Sequence, residues 1–404
     1  AAPAGPRPGG SPTRSRRSTS STSGRTWSAA AQPVGAPADH QEVVFGEDQA
    51  TFIRRDGSLT TTMEVIVSGE IDAEVRRVTL TNAGRAACEI ELTSYSEIVL
   101  APPAADAAHP AFAKLFVVTE HLPEYGALIA TRRPRTNGEA ALCAAHFGVV
   151  EGGESAAPEY ETDRAKFLGR SRAPSAAFSG NAARPLTKTV GTVLDPVLSI
   201  RRRVTLPAGG RVRVAFWTVV ATAREDLLDL VEAHHDRNAF DRAKTLAWTQ
   251  AQVQLRHLDV TAEEAADFQR LAAPLLYPDA RFRAASDVIA RGAGAQSGLW
   301  PYSISGDLPV VLLRIDDVED MEQVRQLLRA HEYWRMKRIS VDLVIVNEHA
   351  SSYLQDLQKA IGPARMNRRP RHGTPPIGDG ARPSPLKMMI SPSKPRMIAS
   401  ISGK

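Results

Sequence analysis

The sequence predicts an α+β protein of several domains, in which an antiparallel β-sandwich is followed by a helical linker and a small α/β unit. Three observations support this. Residues 40–222 contain short β-rich runs, several of them alternating apolar and polar side chains, residues 223–292 change to a helical period, and residues 293–361 read as strand, helix, strand and helix. A chain of 404 residues with 43% hydrophobic content has enough apolar side chains for several cores.

Eight runs rich in β-branched and aromatic residues are predicted to be the strands of the sandwich. Turns such as Asn82-Ala83-Gly84 separate them, and asparagine and glycine favour chain reversal there. Many antiparallel strands at short spacing are typical of a sandwich. The predicted strands are 60–68, 74–82, 87–100, 113–121, 125–133, 141–150, 198–206 and 211–221.

The linker is predicted to contain four helices, because its apolar residues recur every three or four positions. Thr261 and Glu264 have the spacing of a capping box at the start of the third helix, and Pro274 should kink or shorten its last turn. The predicted helices are 223–236, 238–258, 261–277 and 281–291.

The α/β unit is predicted from a strand at 309–315, a helix at 316–338, a strand at 339–347 and a helix at 348–362. The first of these helices has acids in its first turns and bases in its last, an order that complements the helix dipole. A helix between two strands favours a parallel pairing, so the two strands should be neighbours in one sheet.

The two ends of the chain, 1–38 and 362–404, are predicted to be disordered, because they are rich in Pro, Gly, Ser and Arg and have little to bury. They hold fourteen of the 50 basic residues and one of the 45 acidic residues. The remaining 36 basic and 44 acidic residues leave the folded part acidic. A basic face on a folded domain is therefore not expected, which argues against nucleic acid as a partner.

Compartment and metal content are predicted from cysteines and apolar runs. Cys88 and Cys143 have neither disulfide nor metal spacing, and no signal peptide or membrane-length apolar run is visible. Adjacent His234 and His235 point about 100° apart on a helix and cannot chelate one metal as a pair. We expect a cytoplasmic protein with no metal, no cofactor and no membrane segment.

The stretch before strand 309–315 holds three candidate ligand-binding residues. The rings of Trp300 and Tyr302 could stack on a sugar, or they could cover the edge of the sheet. Asp307 could contact a substrate, but no partner carboxylate is visible and it precedes its strand, so a turn aspartate bonded to backbone N–H groups is favoured. No catalytic residue is assigned.

Two further candidates lie at the carboxyl end of the second strand of the α/β unit. Ligands of open α/β sheets favour that end, which places Asn347 and Glu348 well for binding. Glu348 is also an ordinary residue for the start of a helix, which is the alternative interpretation.

Long stretches of the chain closely resemble the central region of cyclic β-1,2-glucan synthases, which belong with the cellobiose-phosphorylase-like enzymes of glycoside hydrolase family 94, formerly glycosyltransferase family 36. The resemblance covers about residues 40–361. The stretches that carry it include "VTLTNAGR", "YETDRAKFLGR", "GLWPYSISGDLPVVLLRI" and "LLRAHEYWRMKRISVDLVIVNEHASSYLQDLQ".

The resemblance implies a β-supersandwich at 40–222, a helical linker at 223–292 and an α/β unit at 293–361. In that family the supersandwich precedes an (α/α)-barrel with a general-acid aspartate, in a stretch like D-W-N-D-G, and with groups that hold inorganic phosphate as a co-substrate. Such a stretch does not occur in this sequence. We therefore expect an inactive part of such an enzyme whose partners are a β-glucan oligosaccharide and a catalytic barrel. The parent enzyme could be associated with a membrane. The alternative is a stand-alone carbohydrate-binding or scaffold protein.

Overall fold

The computed structural model divides into two compact units, an N-terminal unit of residues 3–252 and a C-terminal unit of residues 253–404 with residues 1–2. The residues described are 12–17, 25–135, 139, 141–152, 157–169, 185–277, 279–292, 294–315, 320–347 and 387–390.

The N-terminal unit is a sandwich of two antiparallel sheets, as the sequence predicts. A nine-stranded sheet has the order β12-β8-β9-β10-β14-β6-β5-β4-β3, and a five-stranded sheet has the order β11-β13-β7-β1-β2. The strands are β1 (Pro12–Arg17), β2 (Arg25–Ser28), β3 (His40–Phe45), β4 (Ala50–Asp56), β5 (Leu59–Val67), β6 (Ala73–Asn82), β7 (Cys88–Glu97), β8 (Val117–Leu122), β9 (Ala127–Arg132), β10 (Leu142–Glu151), β11 (Glu159–Asp163), β12 (Gly191–Thr192), β13 (Pro196–Leu206) and β14 (Arg211–Ala221).

Within the described part of the sandwich, three short helices interrupt the strands: α1 (Pro103–Ala108), α2 (Pro110–Lys114) and α3 (Arg164–Leu168). Helix α2 corrects the predicted strand 113–121, because Pro110 pre-sets a helical start and the strand begins only at Val117. Asp163 is the N-cap of helix α3, and its carboxylate accepts from the backbone N–H groups of Ala165 and Lys166.

The central strands of the nine-stranded sheet, among them β6 and β14, are buried on both faces. On one face Leu80 and Phe216 join the core between the two sheets. On the other face Val75 and Trp217 pack with side chains of the helices that follow the sandwich. This explains why β14 reads as a nearly continuous apolar run.

The prediction that residues 1–38 are disordered is wrong for strands β1 and β2. Strand β1 pairs with β7, and β2 pairs with β1. Trp27 in β2 is 1% exposed, and its indole N–H donates to Thr61 Oγ1 at 3.2 Å. A single large ring therefore supplies the burial that composition did not indicate.

The predicted linker helices are present as α4 (Arg224–His234), α5 (Ala239–Leu258), α6 (Ala262–Leu276) and α7 (Ser286–Arg291). Thr261 Oγ1 accepts from the Glu264 N–H at 3.2 Å, and the Glu264 carboxylate accepts from the Thr261 N–H at 3.0 Å, so the predicted capping box forms. Helix α6 ends two residues after Pro274.

The C-terminal unit contains a three-stranded parallel sheet of β15 (Val310–Ile315), β16 (Asp342–Asn347) and β17 (Lys387–Ile390). Strands β15 and β16 are parallel neighbours, as predicted, and α8 (Met321–Met336) connects them. One face of the sheet packs on Val324 and Leu328 of α8.

The predicted disorder of 362–404 lies outside the described residues except at β17, which pairs with β16 and so departs from the prediction. The predicted helix 348–362 also lies outside the described residues. Among the helices that the structure describes, none has the length and apolar character to cross a membrane.

Candidate functional site

The turn of residues 296–307, which leads into β15, is held by its own side chains. Gln296 Nε2 donates to the Ser305 carbonyl oxygen at 2.8 Å and to Asp307 Oδ1 at 3.0 Å. Gly306 has φ +78°, and a Cβ on it would lie 2.7 Å from Gln296 Cγ. The turn therefore requires a glycine at this position.

Trp300 and Tyr302 lie on a short 3-10 helix in this turn, and both rings are exposed. Trp300 is 62% exposed and Tyr302 is 52% exposed. The Trp300 indole N–H donates to the Ser305 carbonyl oxygen at 3.4 Å, which restrains the ring without burying it. The arrangement offers aromatic faces to a ligand from solvent.

The side chain that anchors this turn to the sheet is Ile304. It is 4% exposed and packs with Val344 and Val346 of β16, together with the partly buried Leu299. The sequence left two roles open for the rings of Trp300 and Tyr302, which were stacking on a sugar and covering the edge of the sheet. In the structure, Ile304 and Leu299 pack on the sheet beside these rings.

Asp307 is a turn residue with a side-chain partner. Its N–H donates to Ser305 Oγ at 3.1 Å, and its carboxylate accepts from the amide of Gln296 rather than from the backbone N–H groups expected. Within the described residues it has no ion-pair partner. The geometry gives it a role in shaping the turn that presents Trp300 and Tyr302.

Asn347 is the last residue of β16 and pairs with Ile315, whereas Asp307 precedes Val310, the first residue of β15. Val310 and Ile315 are five residues apart along β15, which corresponds to about 16 Å at 3.3 Å per residue. Asp307 and Asn347 therefore belong to opposite ends of this strand pair. Within the described part of the chain, no hydrogen bond or ion pair joins Asn347 to the turn. Glu348 lies outside the described residues.

The sequence did not reveal a buried polar row between the two sheets. His146 Nε2 lies 2.7 Å from Ser94 Oγ, and His146 Nδ1 lies 3.0 Å from Thr218 Oγ1. Burial, followed by the charge of Arg76, lowers the pKa of His146 to about 4. A serine hydrogen-bonded to a histidine is also found in catalytic nucleophiles. Ser94 and His146 are buried inside the sandwich, however, where a substrate cannot reach them.

A second missed feature is the ion-pair cluster that fixes α5 to the sheet within the N-terminal unit. Arg77 pairs with Glu64 at 2.9 Å and with Asp241 at 2.8 Å, and Lys244 pairs with Glu64 at 2.7 Å. The Arg77 guanidinium also lies 3.7 Å from the centre of the Phe240 ring. Burial raises the pKa of Glu64, but hydrogen bonds from Lys244 and Arg77 lower it below its ordinary value.

These contacts were invisible in the sequence because their partners are far apart along the chain. The alternation of side chains along β5 and β6 is the sequence signal that could have placed Glu64 directly opposite Arg77. Among the described residues, no group of three His, Cys, Asp or Glu side chains has the arrangement of a metal site.

Comparisons with known proteins place the sandwich in a family. The glycosyl hydrolase 94 supersandwich domain matches residues 19–237. The cyclic β-(1,2)-glucan synthase NdvB of Rhizobium meliloti (strain 1021) is 43% identical over 362 residues. That match covers 89% of this chain but 12% of the relative, so the chain spans about an eighth of that protein.

Solved structures give weaker likenesses. A bacterial glucoamylase in complex with acarbose is 10% identical, with a TM-score of 0.35, and the match covers 59% of this chain and 31% of that one. A polysaccharide lyase is 12% identical, with a TM-score of 0.33, over 55% of this chain and 27% of that one. Scores of this size do not establish a shared overall fold.

Proposed function

The chain belongs to the glycosyl hydrolase 94 supersandwich family, and on that premise we propose that it is a non-catalytic part of an enzyme acting on β-linked glucans. Its role is to bind the glucan and to support the enzyme's other domains. The observation that carries the binding proposal is the exposed pair Trp300 and Tyr302, held on a turn that Ile304 anchors.

Exposed rings on a fixed turn suit a sugar, because the C–H face of a pyranose packs on a flat apolar surface. Asp307 and Gln296 already bond to each other, so the turn is shaped before a ligand arrives. A shaped turn reduces the ordering cost of binding. The name of the relative, a cyclic β-(1,2)-glucan synthase, supports β-1,2-linked glucose as the glycan.

Calorimetry with β-1,2-gluco-oligosaccharides tests the binding proposal. We expect weak binding by the full chain, and Trp300→Ala should weaken it at least about tenfold, equivalent to about 1.4 kcal/mol. Trp248→Ala is the matched control, because Trp248 is 56% exposed on α5 and lies outside the turn. An absence of heat with wild-type protein at about 1 mM ligand, or equal affinity of the two variants, contradicts the proposal.

The non-catalytic role predicts that the purified chain releases no glucose 1-phosphate from β-glucans in the presence of inorganic phosphate. This rests on the absence from the sequence of the D-W-N-D-G-like stretch of the family's barrel. Turnover that persists after further purification would refute it.

A stand-alone carbohydrate-binding or scaffold protein is the second candidate function. It is favoured by the same exposed rings, which need no catalytic domain to bind a sugar. A chimera distinguishes the candidates: this chain replaces the matching 362 residues of the Rhizobium meliloti relative. Restored glucan synthesis supports a part of an enzyme, whereas a folded but inactive chimera supports the stand-alone protein.

A further inference from the structure

Strand β3 is the outermost strand at one end of the nine-stranded sheet, and its free edge is open to solvent. It pairs with β4 over all six of its residues without a register shift. Every residue of β3 is exposed, so no element that the structure describes covers this edge. Three of its side chains are large and apolar: Val43 is 49% exposed, Val44 48% and Phe45 67%. An exposed apolar edge strand is a template on which another strand can pair.

The other described edges of the sandwich are protected. Strand β12, at the opposite end of the same sheet, has two residues, and β2, at one edge of the five-stranded sheet, has four. Strand β11, at the other edge of that sheet, pairs with a register shift between Glu161 and Asp163. Short or irregular edge strands prevent edge-to-edge association of sheets. Strand β3 has neither of these protections.

The hydrogen bonds between β3 and β4 determine which backbone groups of β3 face outward. Directly after β3, the Gly46 N–H donates to the Gln49 carbonyl oxygen at 2.8 Å, in the same register as the strands. Hydrogen-bonded positions alternate along an antiparallel pair, so the even-numbered residues of β3 bond to β4. The odd-numbered residues therefore present their N–H and C=O groups at the free edge. These residues are Gln41, Val43 and Phe45.

The odd-numbered side chains of β3 lie on the face of the sheet that is directed at the core of the sandwich. Val43 is opposite Phe52 of β4, which packs against the core between the two sheets. The rings of Phe45 and Phe52 meet edge to face, with centroids 6.3 Å apart. Val43 and Phe45 continue the apolar surface of the core to the edge of the sheet, where they remain exposed.

We propose that β3 pairs with β3 of a second copy of this chain, antiparallel about a two-fold axis at Val43, so that the two nine-stranded sheets become one. Each copy then supplies the outward backbone groups that the other needs. Val43 faces the partner's Val43, and the partner's Phe45 lies diagonally from it on the same face. Such an interface uses the same surface of both copies, as two-fold dimers do. It is independent of the proposed glucan binding.

The self-pairing of β3 has one favourable register. The outward groups belong to odd-numbered residues, which requires the two-fold axis to pass through a residue and not between two residues. An axis at Glu42 places this carboxylate opposite its own copy, and like charges at facing positions are destabilising. An axis at Val44 moves the pairing into the turn after β3. The axis at Val43 pairs residues 41–45 of both copies and places no like charges opposite each other within the strand.

Sedimentation equilibrium on the full chain tests the association. The average mass should rise from 43.7 kDa towards twice that value between about 1 µM and about 100 µM protein. Val43→Lys should weaken the association at least about tenfold, because two like charges then meet on the axis. Val67→Lys is the matched control, since Val67 is a 66% exposed valine of β5, which has a strand on each side. Both variants should keep the melting temperature of wild type, because both side chains are exposed.

Two cysteine variants test the register by oxidation. Val43→Cys should give a disulfide-linked dimer, because facing residues of a hydrogen-bonded pair have Cα atoms about 5.5 Å apart. Val44→Cys should not, because the two copies of residue 44 would lie about 8 Å apart, beyond the reach of a disulfide. The wild-type chain, which contains free Cys88 and Cys143, gives the background.

Three results would overturn the proposal. The first is a mass of 43.7 kDa at every concentration, which would leave the edge of β3 to a strand from another protein or domain. The second is a dimer that Val43→Lys and Val67→Lys weaken equally, which would place the interface elsewhere on the chain. The third is equal cross-linking of Val43→Cys and Val44→Cys, which would contradict the register.

Discussion

His146 determines a specific response of the sandwich to acid. Its folded-state pKa is about 4 because of burial, against about 6.5 in an unfolded chain. Between these values the unfolded state binds the proton and the folded state does not. The free energy of unfolding should therefore be fully retained above pH 6.5 and fall as the pH drops from 6.5 to 4.

The magnitude follows from the two pKa values. The loss from His146 reaches about 3 kcal/mol below pH 4, and about 2 kcal/mol of it should appear between pH 7 and pH 5. Burial also lowers the pKa values of His121 and His235, so their protonation acts in the same direction. A variant is needed to isolate the contribution of His146.

Urea denaturation of wild type and His146→Gln at pH 7 and pH 5 measures that contribution. The variant should lose about 2 kcal/mol less than wild type between the two pH values. His257→Gln, a change at an exposed histidine of α5, should keep the wild-type difference. Equal pH dependence in wild type and His146→Gln would refute the reasoning.

The remaining predictions concern packing, charge and the turn. Trp27→Ala should lower the free energy of unfolding by about 3–5 kcal/mol, measured in urea, because it empties a core site and leaves Thr61 without its donor; a loss below about 1 kcal/mol contradicts the burial of β2. Glu64→Gln should cost about 1–3 kcal/mol at low salt by leaving Arg77 with a weaker partner, and a melting temperature equal to wild type would contradict this. Gly306→Ala should weaken oligosaccharide binding in calorimetry without unfolding the sandwich, and unchanged affinity would separate the turn from binding.

The sequence predicts what depends on local period and capping. Strand β14 occupies the predicted residues 211–221, and the capping box at Thr261 forms as its spacing indicates. The parallel pairing of β15 and β16 follows from the helix between them. Each of these features depends on residues close together along the chain.

The missed features depend on residues far apart. Trp27 and Thr61 meet across 34 residues, and Arg77 meets Asp241 across 164. Composition around Trp27 indicated disorder, because one buried ring does not change the average of a Ser- and Arg-rich segment. At the candidate site, the sequence identified the rings of Trp300 and Tyr302, but only the structure shows that Ile304 anchors them and that Gln296 bonds to Asp307.

Tryptophan fluorescence tests glucan binding at the turn most directly. Three of the five tryptophans, Trp27, Trp217 and Trp334, are buried, so Trp248→Phe leaves Trp300 as the one that solvent reaches. Adding β-1,2-gluco-oligosaccharide to this variant should shift its emission to shorter wavelength and protect it from acrylamide quenching, with the same affinity as in calorimetry. An emission spectrum and a quenching constant that stay unchanged at saturating ligand would contradict the account.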